Sequence, residues 1–302
     1  METKENEKFH GKHLVVFGAG YAGGELARQA LARGMRVTAL TRNAGKAAAL
    51  AQLGAEEIVA ELGGSTWHAR IAGGADFVVN CVSAGGDGLA GYQRSYVGGM
   101  RSIMAWAAHA PVGTLVYTSS TSVYPQTGGM RVDETAPTEA ADEAGKFLLE
   151  AEALARGCPC ARWFVLRLAG LYGPARHRLL DDLRSGMTVL AGQGGHHLNL
   201  VHRDDVVAAI WAALGAPAGC ASGIFNVADD RAATRAEVAG WLAARLGVAA
   251  PAFTSTAAGG RRAVTPDRII DNGKLKATLG WRPRFPGFRE GYENLLSQPP
   301  PV

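Results

Sequence analysis

Residues 12–26 read KHLVVFGAGYAGGEL, from Lys12 to Leu26. Leu14, Val15, Val16 and Phe17 form a short apolar run, as a strand covered on both faces requires. Gly18-Ala19-Gly20 follows as a turn, then Tyr21-Ala22-Gly23-Gly24, and a helical pattern runs on through Glu25 and Leu26 to Leu31. A strand, a glycine turn and a helix in that order suit the diphosphate of a dinucleotide. Gly18 allows the sharp turn. Gly20 removes a side chain where the diphosphate approaches the backbone, and Gly23 lets the helix pack close to the strand. The N–H groups of the first helical turn, at Tyr21 and Ala22, then face the phosphates. A merely tight βα turn is the alternative reading, because glycine is frequent here, at 40 of 302 residues.

Outward from this stretch, residues 35–40, 58–60, 76–82, 114–118 and 162–168 are strand-like runs separated by helical patterns. The longest helices are expected over 92–110 and 139–155. That alternation predicts an α/β fold, a doubly wound parallel sheet of the Rossmann kind. Beyond Gly170 the rhythm becomes irregular. Brief strands are expected at 189–190 and 198–201, a strand at 223–227, and helices at 178–183, 204–214, 234–246, 267–279 and 288–296. Thr234 is the expected N-cap of its helix, with Glu237 completing a capping box. Residues 257–265 read as a loop, and the proline-rich tail 298–302 as a fraying end. The expected organisation is a dinucleotide-binding domain over 1–170, to which 198–228 returns. A small C-terminal substrate-binding region is then built from 171–197 and 229–302.

The net charge of +4 comes from scattered basic residues, with no cluster interleaved with aromatics, so no nucleic-acid partner is expected. No run of about 18 apolar residues occurs, so no membrane span is expected, and residues 1–12 lack the apolar core of a signal. The cysteines are Cys81, Cys158, Cys160 and Cys220; Cys158-Pro159-Cys160 has one residue between thiols and no second pair. Neither a zinc site nor a disulfide framework follows, and a reduced, cytoplasmic setting is expected. The paired His196 and His197 lack a ligand spacing, so no metal is expected.

The tip of the second strand discriminates between dinucleotides. An acid there suits the ribose 2′-hydroxyl of NAD, and a base suits the 2′-phosphate of NADP. Here the tip reads Thr41-Arg42, with Lys46 one turn on and no acid between. NADP is therefore the expected cofactor, with Arg42 and Lys46 as contacts and NAD as the alternative. Ser83, after the fourth strand, and Leu168, at the end of 162–168, are the further expected contacts.

Several segments together resemble the extended short-chain dehydrogenase/reductase family of NAD-dependent epimerases and dehydratases. They are GAGYAGG at 18–24, LVYTSSTSVY at 115–124, DETAP at 133–137, KFLLEAE at 146–152, RLAGLYGP at 167–174, NLVHRDDVVAAI at 199–210, IFNVAD at 224–229 and LGWRP at 279–283. They stand in the family's order over nearly the whole chain. The resemblance implies that Ser120 hydrogen-bonds the reacting carbonyl or alcohol. It also implies that Lys146 holds the nicotinamide ribose and lowers the pKa of a tyrosine four residues earlier. In this chain that position is Asp142, so the YxxxK tyrosine is missing, and Tyr96 replaces a common asparagine. The chain is thus similar to an atypical subgroup of the family.

The expected function is an NAD(P)-dependent oxidoreductase or epimerase/dehydratase-like enzyme, transferring a hydride to or from a small polar or nucleotide-linked substrate. Ser120, Tyr124 and Lys146 are the catalytic candidates, with water, Tyr124 or a substrate group completing the proton path. The alternative is a catalytically silent NAD(P)-binding sensor or interaction protein. A homodimer is the candidate assembly. Its basis is the helix carrying Met100, Ile103, Met104 and Trp106, which reads as more apolar surface than one sheet covers.

Overall fold

The computed structural model describes residues 7–139, 142–254 and 266–297. The apolar runs form seven strands: β1 (His13–Phe17), β2 (Arg36–Thr41), β3 (Glu56–Val59), β4 (Ala75–Asn80), β5 (Val112–Ser120), β6 (Arg162–Leu168) and β7 (Gly223–Val227). They make one parallel sheet in the order β7-β6-β5-β4-β1-β2-β3. The order reverses between β1 and β4, and at such a switch point the crossovers diverge and open a crevice beyond the strands' carboxyl ends.

The helices are α1 (Tyr21–Ala32), α2 (Ala44–Gln52), α3 (Gly88–Tyr92), α4 (Gly99–Ala107), α5 (Glu143–Arg156), α6 (Arg178–Arg184), α7 (Arg203–Leu214), α8 (Arg235–Leu246), α9 (Gly273–Leu279) and α10 (Phe288–Leu296). Strand alternation divides the core into two layers. Leu14 and Val16 of β1 pack with Leu26 and Ala30 of α1 and Val206 and Ile210 of α7. Val15 and Phe17 face the other way, onto Met100, Ile103 and Trp106 of α4 and Ala151 and Ala155 of α5. A third apolar cluster joins α6, α8 and α10 through Leu180, Leu183, Val238, Leu242, Phe288, Tyr292 and Leu295.

Three differences from the sequence reading have physical causes. The expected helix 267–279 begins only at Gly273, because Arg268–Ile270 pairs in parallel with Met130–Val132 and removes those residues from the helix. The expected helix 92–110 is a composite: α3 passes through a π-helical turn, Gln93–Gly98, into α4. The α4 stripe that suggested a dimer face is covered by this chain itself, with Met100, Ile103 and Trp106 at 3% exposure or less. Thr234 does cap α8, and its capping box with Glu237 is complete. The loop expected at 257–265 and the tail at 298–302 lie outside the described residues.

Candidate functional site

The carboxyl ends of β1, β2, β4, β5 and β6 converge on a cleft of about 630 Å³, a size suited to a bound small molecule. Its floor is the glycine turn. Gly18 has φ +80°, and a Cβ there would stand 2.7 Å from the backbone nitrogen of Val82; only glycine fits. At Gly23 a Cβ would meet the Gly18 carbonyl at 2.5 Å and Val16 Cγ1 at 3.1 Å, so this glycine is a packing position beneath the cleft. Gly20 is different. A Cβ there would have only the Gly18 carbonyl within reach, at 3.9 Å, and would project into the cleft. The turn is thus kept bare on the side where a ligand backbone would lie. Helix α1 starts at Gly20 with no side-chain cap and no acid in its first turn, which leaves its N-terminal field for an anion.

The expected cofactor residues Gly18, Gly20, Tyr21, Ala22, Arg42 and Lys46 all line this cleft, as do Ser83 and Leu168. Arg42 lies against Gly85 and pairs with Glu61 at 3.4 Å, while Asn43 caps α2 by accepting from Lys46 N. Tyr21 is roofed by the guanidinium groups of Arg176 and Arg203, 5.6 and 5.5 Å from its ring. Burial pushes its phenol up to about 12 against the pull of those two cations.

The three expected catalytic residues stand elsewhere. Lys146 is on the outer face of α5, its side chain 60% exposed and 2.6 Å from Glu143, so the structure does not bring it to the cleft. Asp142 is the N-cap of α5, accepting from Gly145 N at 2.8 Å. Among the buried residues of α5, Ala144, Leu148 and Glu152 form a stripe spaced by four. On the stripe that ends at Glu152, a tyrosine and a lysine four apart would occupy Ala144 and Leu148, and both are apolar here. Tyr124 is 1% exposed, donates to Asn226 Oδ1 at 2.9 Å and accepts from Arg167 Nη1 at 2.8 Å. Burial raises its pKa despite the adjacent Arg167. Ser120 caps the short helical turn Thr121–Val123, accepting from Ser122 N at 3.1 Å.

Ser119, one residue earlier, does line the cleft. Its Oγ donates to Glu152 Oε1 at 2.6 Å, and Glu152 in turn holds Arg167 Nη2 at 2.7 Å. Both members of this ion pair are buried, with side chains 2% and 5% exposed. The register Ser119↔Arg167↔Asn226 across β5, β6 and β7 aligns the whole network. Alternation along β5 is the sequence signal that separates Ser119 from Ser120: Leu115, Tyr117 and Ser119 share the face covered by α4 and α5. His202, within the 199–210 segment, is buried and caps α7 by accepting from Asp204 N at 3.2 Å. Burial lowers its pKa to about 4.

The sequence model of the NAD dependent epimerase/dehydratase family matches residues 14–228. Protein YeeZ of Escherichia coli strain K12 is 32% identical over 191 residues, 63% of this chain and 65% of YeeZ; the chain matches just under two thirds of that relative's length. A functionally unknown conserved protein from Silicibacter pomeroyi superimposes with a TM-score of 0.74 at 25% identity, covering 95% of this chain and 98% of its own. UDP-glucuronic acid 4-epimerase from Bacillus cereus, solved with UDP-glucuronic acid and NAD, superimposes with a TM-score of 0.79 at 19% identity, covering 93% and 96%. At that identity the likeness is one of fold.

Proposed function

The chain belongs to the NAD dependent epimerase/dehydratase family, and from that premise we propose that it is an NAD(P)-dependent oxidoreductase acting by hydride transfer on a small polar or nucleotide-linked substrate. The observation that carries this reading is the bare glycine turn: Gly20 opens onto a cleft at the sheet's switch point, at the start of an uncapped helix. When bound, the dinucleotide supplies or removes the hydride. The chain's own residues hold and orient it. Gly18 and Gly20 with the N–H groups of Tyr21 and Ala22 seat the diphosphate, and Gly23 fixes the helix that presents them. Ser83 and Leu168 line the two sides.

NADP is the finer reading of the cofactor. Arg42 and Lys46 stand at the end of the cleft next to β2, where a 2′-phosphate would meet a planar guanidinium. NAD is the alternative, and the family's description favours it. The substrate is assigned to the space between the part formed by 1–170 with 198–228 and the small region formed by 171–197 and 229–302. Ser119 faces that space and is read as its hydroxyl contact in place of Ser120. With its proton held by Glu152, it offers a lone pair to a substrate donor.

Titration of the protein with NADPH and NADH, followed by cofactor fluorescence, tests the reading. Binding of at least one dinucleotide is expected, and its loss in Gly20→Ala at unchanged solubility and circular dichroism. No affinity for either dinucleotide refutes it. A second reading, a silent dinucleotide-binding protein, draws on Ala144 and Leu148 on that stripe of α5. It predicts binding without carbonyl turnover.

A further inference from the structure

Four cations line the cleft: Arg42, Lys46, Arg94 and Arg176. Two are held by carboxylates, Arg42 by Glu61 at 3.4 Å and Arg94 by Asp87. Lys46 stands in the first turn of α2, at the β2 end of the cleft. Arg176 differs from all three. It is exposed, and its guanidinium lies over the Tyr21 ring, 5.6 Å from the centroid. Among the described residues no carboxylate pairs with it, whereas the neighbouring Arg203 is held by Asp204 at 2.9 Å.

The backbone sets that position. Arg176 ends the turn Gly173-Pro174-Ala175-Arg176, in which Arg176 N donates to Gly173 O at 3.0 Å and Gly173 N donates to Arg176 O at 3.1 Å. Pro174 presets the second position. Ala175, at the third, has φ +58°, and it is the one non-glycine residue with positive φ among the described residues. That position of a type II turn favours glycine. An alanine there is strained, and strain of this kind collects at ligand clamps. Gly173 fixes where the turn rests. A Cβ on it would stand 2.8 Å from the Tyr21 hydroxyl and 3.2 Å from His202 Nε2. The bare residue therefore lets the turn settle on Tyr21, the first residue of α1.

Positive charge thus gathers over Tyr21 from two guanidinium groups and from the uncapped N-terminus of α1. Asp204 offsets Arg203, and the charge of Arg176 is left for an arriving anion. A planar guanidinium fork matches paired phosphate oxygens. We propose that Arg176 is a clamp on the diphosphate of the bound dinucleotide: the N–H groups at the start of α1 take the phosphates from the helix side, and Arg176 takes them from the turn 173–176. This rests on the dinucleotide reading above. Contact with Tyr21, whose N–H belongs to the phosphate seat, favours the diphosphate over an anionic group on the substrate. The diphosphate is common to NAD and NADP, so this clamp adds affinity for both and leaves the choice between them to Arg42 and Lys46.

The test uses the full chain with NADPH, NADH and ADP-ribose, which carries the diphosphate without the nicotinamide. In calorimetric titrations Arg176→Ala is expected to weaken all three alike, by about 10- to 100-fold. The melting temperature of the free protein should not change, because the side chain is exposed. Arg176→Lys keeps the charge without the fork and should recover part of the loss. Arg178→Ala, whose side chain is 94% exposed, should bind as the parent does. Phenylglyoxal labelling read by peptide mass spectrometry reports the contact directly, and ADP-ribose should shield Arg176. An Arg176→Ala affinity for ADP-ribose within about threefold of the parent, or Arg176 labelling that ADP-ribose leaves unchanged, overturns the clamp. So does a loss confined to NADPH, which marks a 2′-phosphate contact, or one confined to the KM of a carbonyl substrate. A parent protein that binds none of the three ligands overturns the dinucleotide reading itself, and its own titration registers that separately from any variant.

Discussion

The buried Glu152–Arg167 pair offers the sharpest test of how the cleft is held. Glu152 Oε1 accepts from Ser119 Oγ at 2.6 Å and from Arg167 Nε at 3.0 Å, while Oε2 accepts from Arg167 Nη2 at 2.7 Å. Arg167 also donates to Tyr124 OH and covers its ring at 4.9 Å. In Glu152→Gln the side-chain shape and one acceptor for Ser119 survive. The negative charge does not, and an amide N–H group is brought against the guanidinium. Removing one partner of a buried pair leaves the other charge uncompensated and costs about 3–5 kcal/mol. Unfolding entropy near 2.1 cal/mol/K per residue gives about 0.6 kcal/mol per degree for a chain of this length, so the melting temperature should fall by about 5–8 °C. Glu152→Leu with Arg167→Met removes both charges and refills the volume, and should recover most of that loss. Urea unfolding and thermal melts of Glu152→Leu, Arg167→Met and the double form the cycle, with Glu152→Gln measured beside them. A Glu152→Gln cost under about 1 kcal/mol, or a double variant no better than the sum of its singles, would refute the claim that this pair is a desolvated unit.

Further outcomes follow from the same geometry. Gly18→Ala forces a Cβ to 2.7 Å from Val82 N at φ +80°; it should cost about 2 kcal/mol or more in urea unfolding and abolish dinucleotide binding. Arg42→Ala should weaken NADPH by about 10- to 100-fold, the worth of a charged hydrogen bond, and leave NADH within a few-fold, as read by parallel fluorescence titrations. Equal loss for both would remove the case for a 2′-phosphate contact. Asp229 is 6% exposed, and burial, with Asp230 beside it, pushes its carboxyl from 3.8 up to about 8. The folded state thus holds this proton more tightly than the unfolded chain. The stabilisation is full below about pH 4 and lost as the pH rises towards 8. Asp229→Asn should therefore be more stable than the parent at pH 8, by at least about 1 kcal/mol, with the gap closing near pH 5 in pH-dependent melts.

Local pattern carried most of the fold. The apolar run 14–17, the glycine turn and the alternation after it are read within a few residues of themselves, because strand pleat and helix pitch are local geometry. The seven parallel strands and the cleft contacts from Gly18 to Ser83 follow from that reading. The Thr234–Glu237 capping box was likewise legible, since its partners are three residues apart. Residues 267–272 misled for a non-local reason: their strand partner is 130–132, well over a hundred positions earlier.

What tertiary structure alone decided is which side chains look into the cleft. On a helix, two positions rotate a side chain by roughly 200°, so Lys146 faces Glu143 and water while Leu148 faces the core. Spacing of four residues was present in both frames, and only the packing of Glu152 against Arg167 selects between them. The same holds for Tyr124, whose hydroxyl is satisfied by Asn226 from 102 residues away. Period and glycine placement are properties of neighbours along the chain; burial and partnership are properties of neighbours in space, and it is the latter that set a functional group's chemistry.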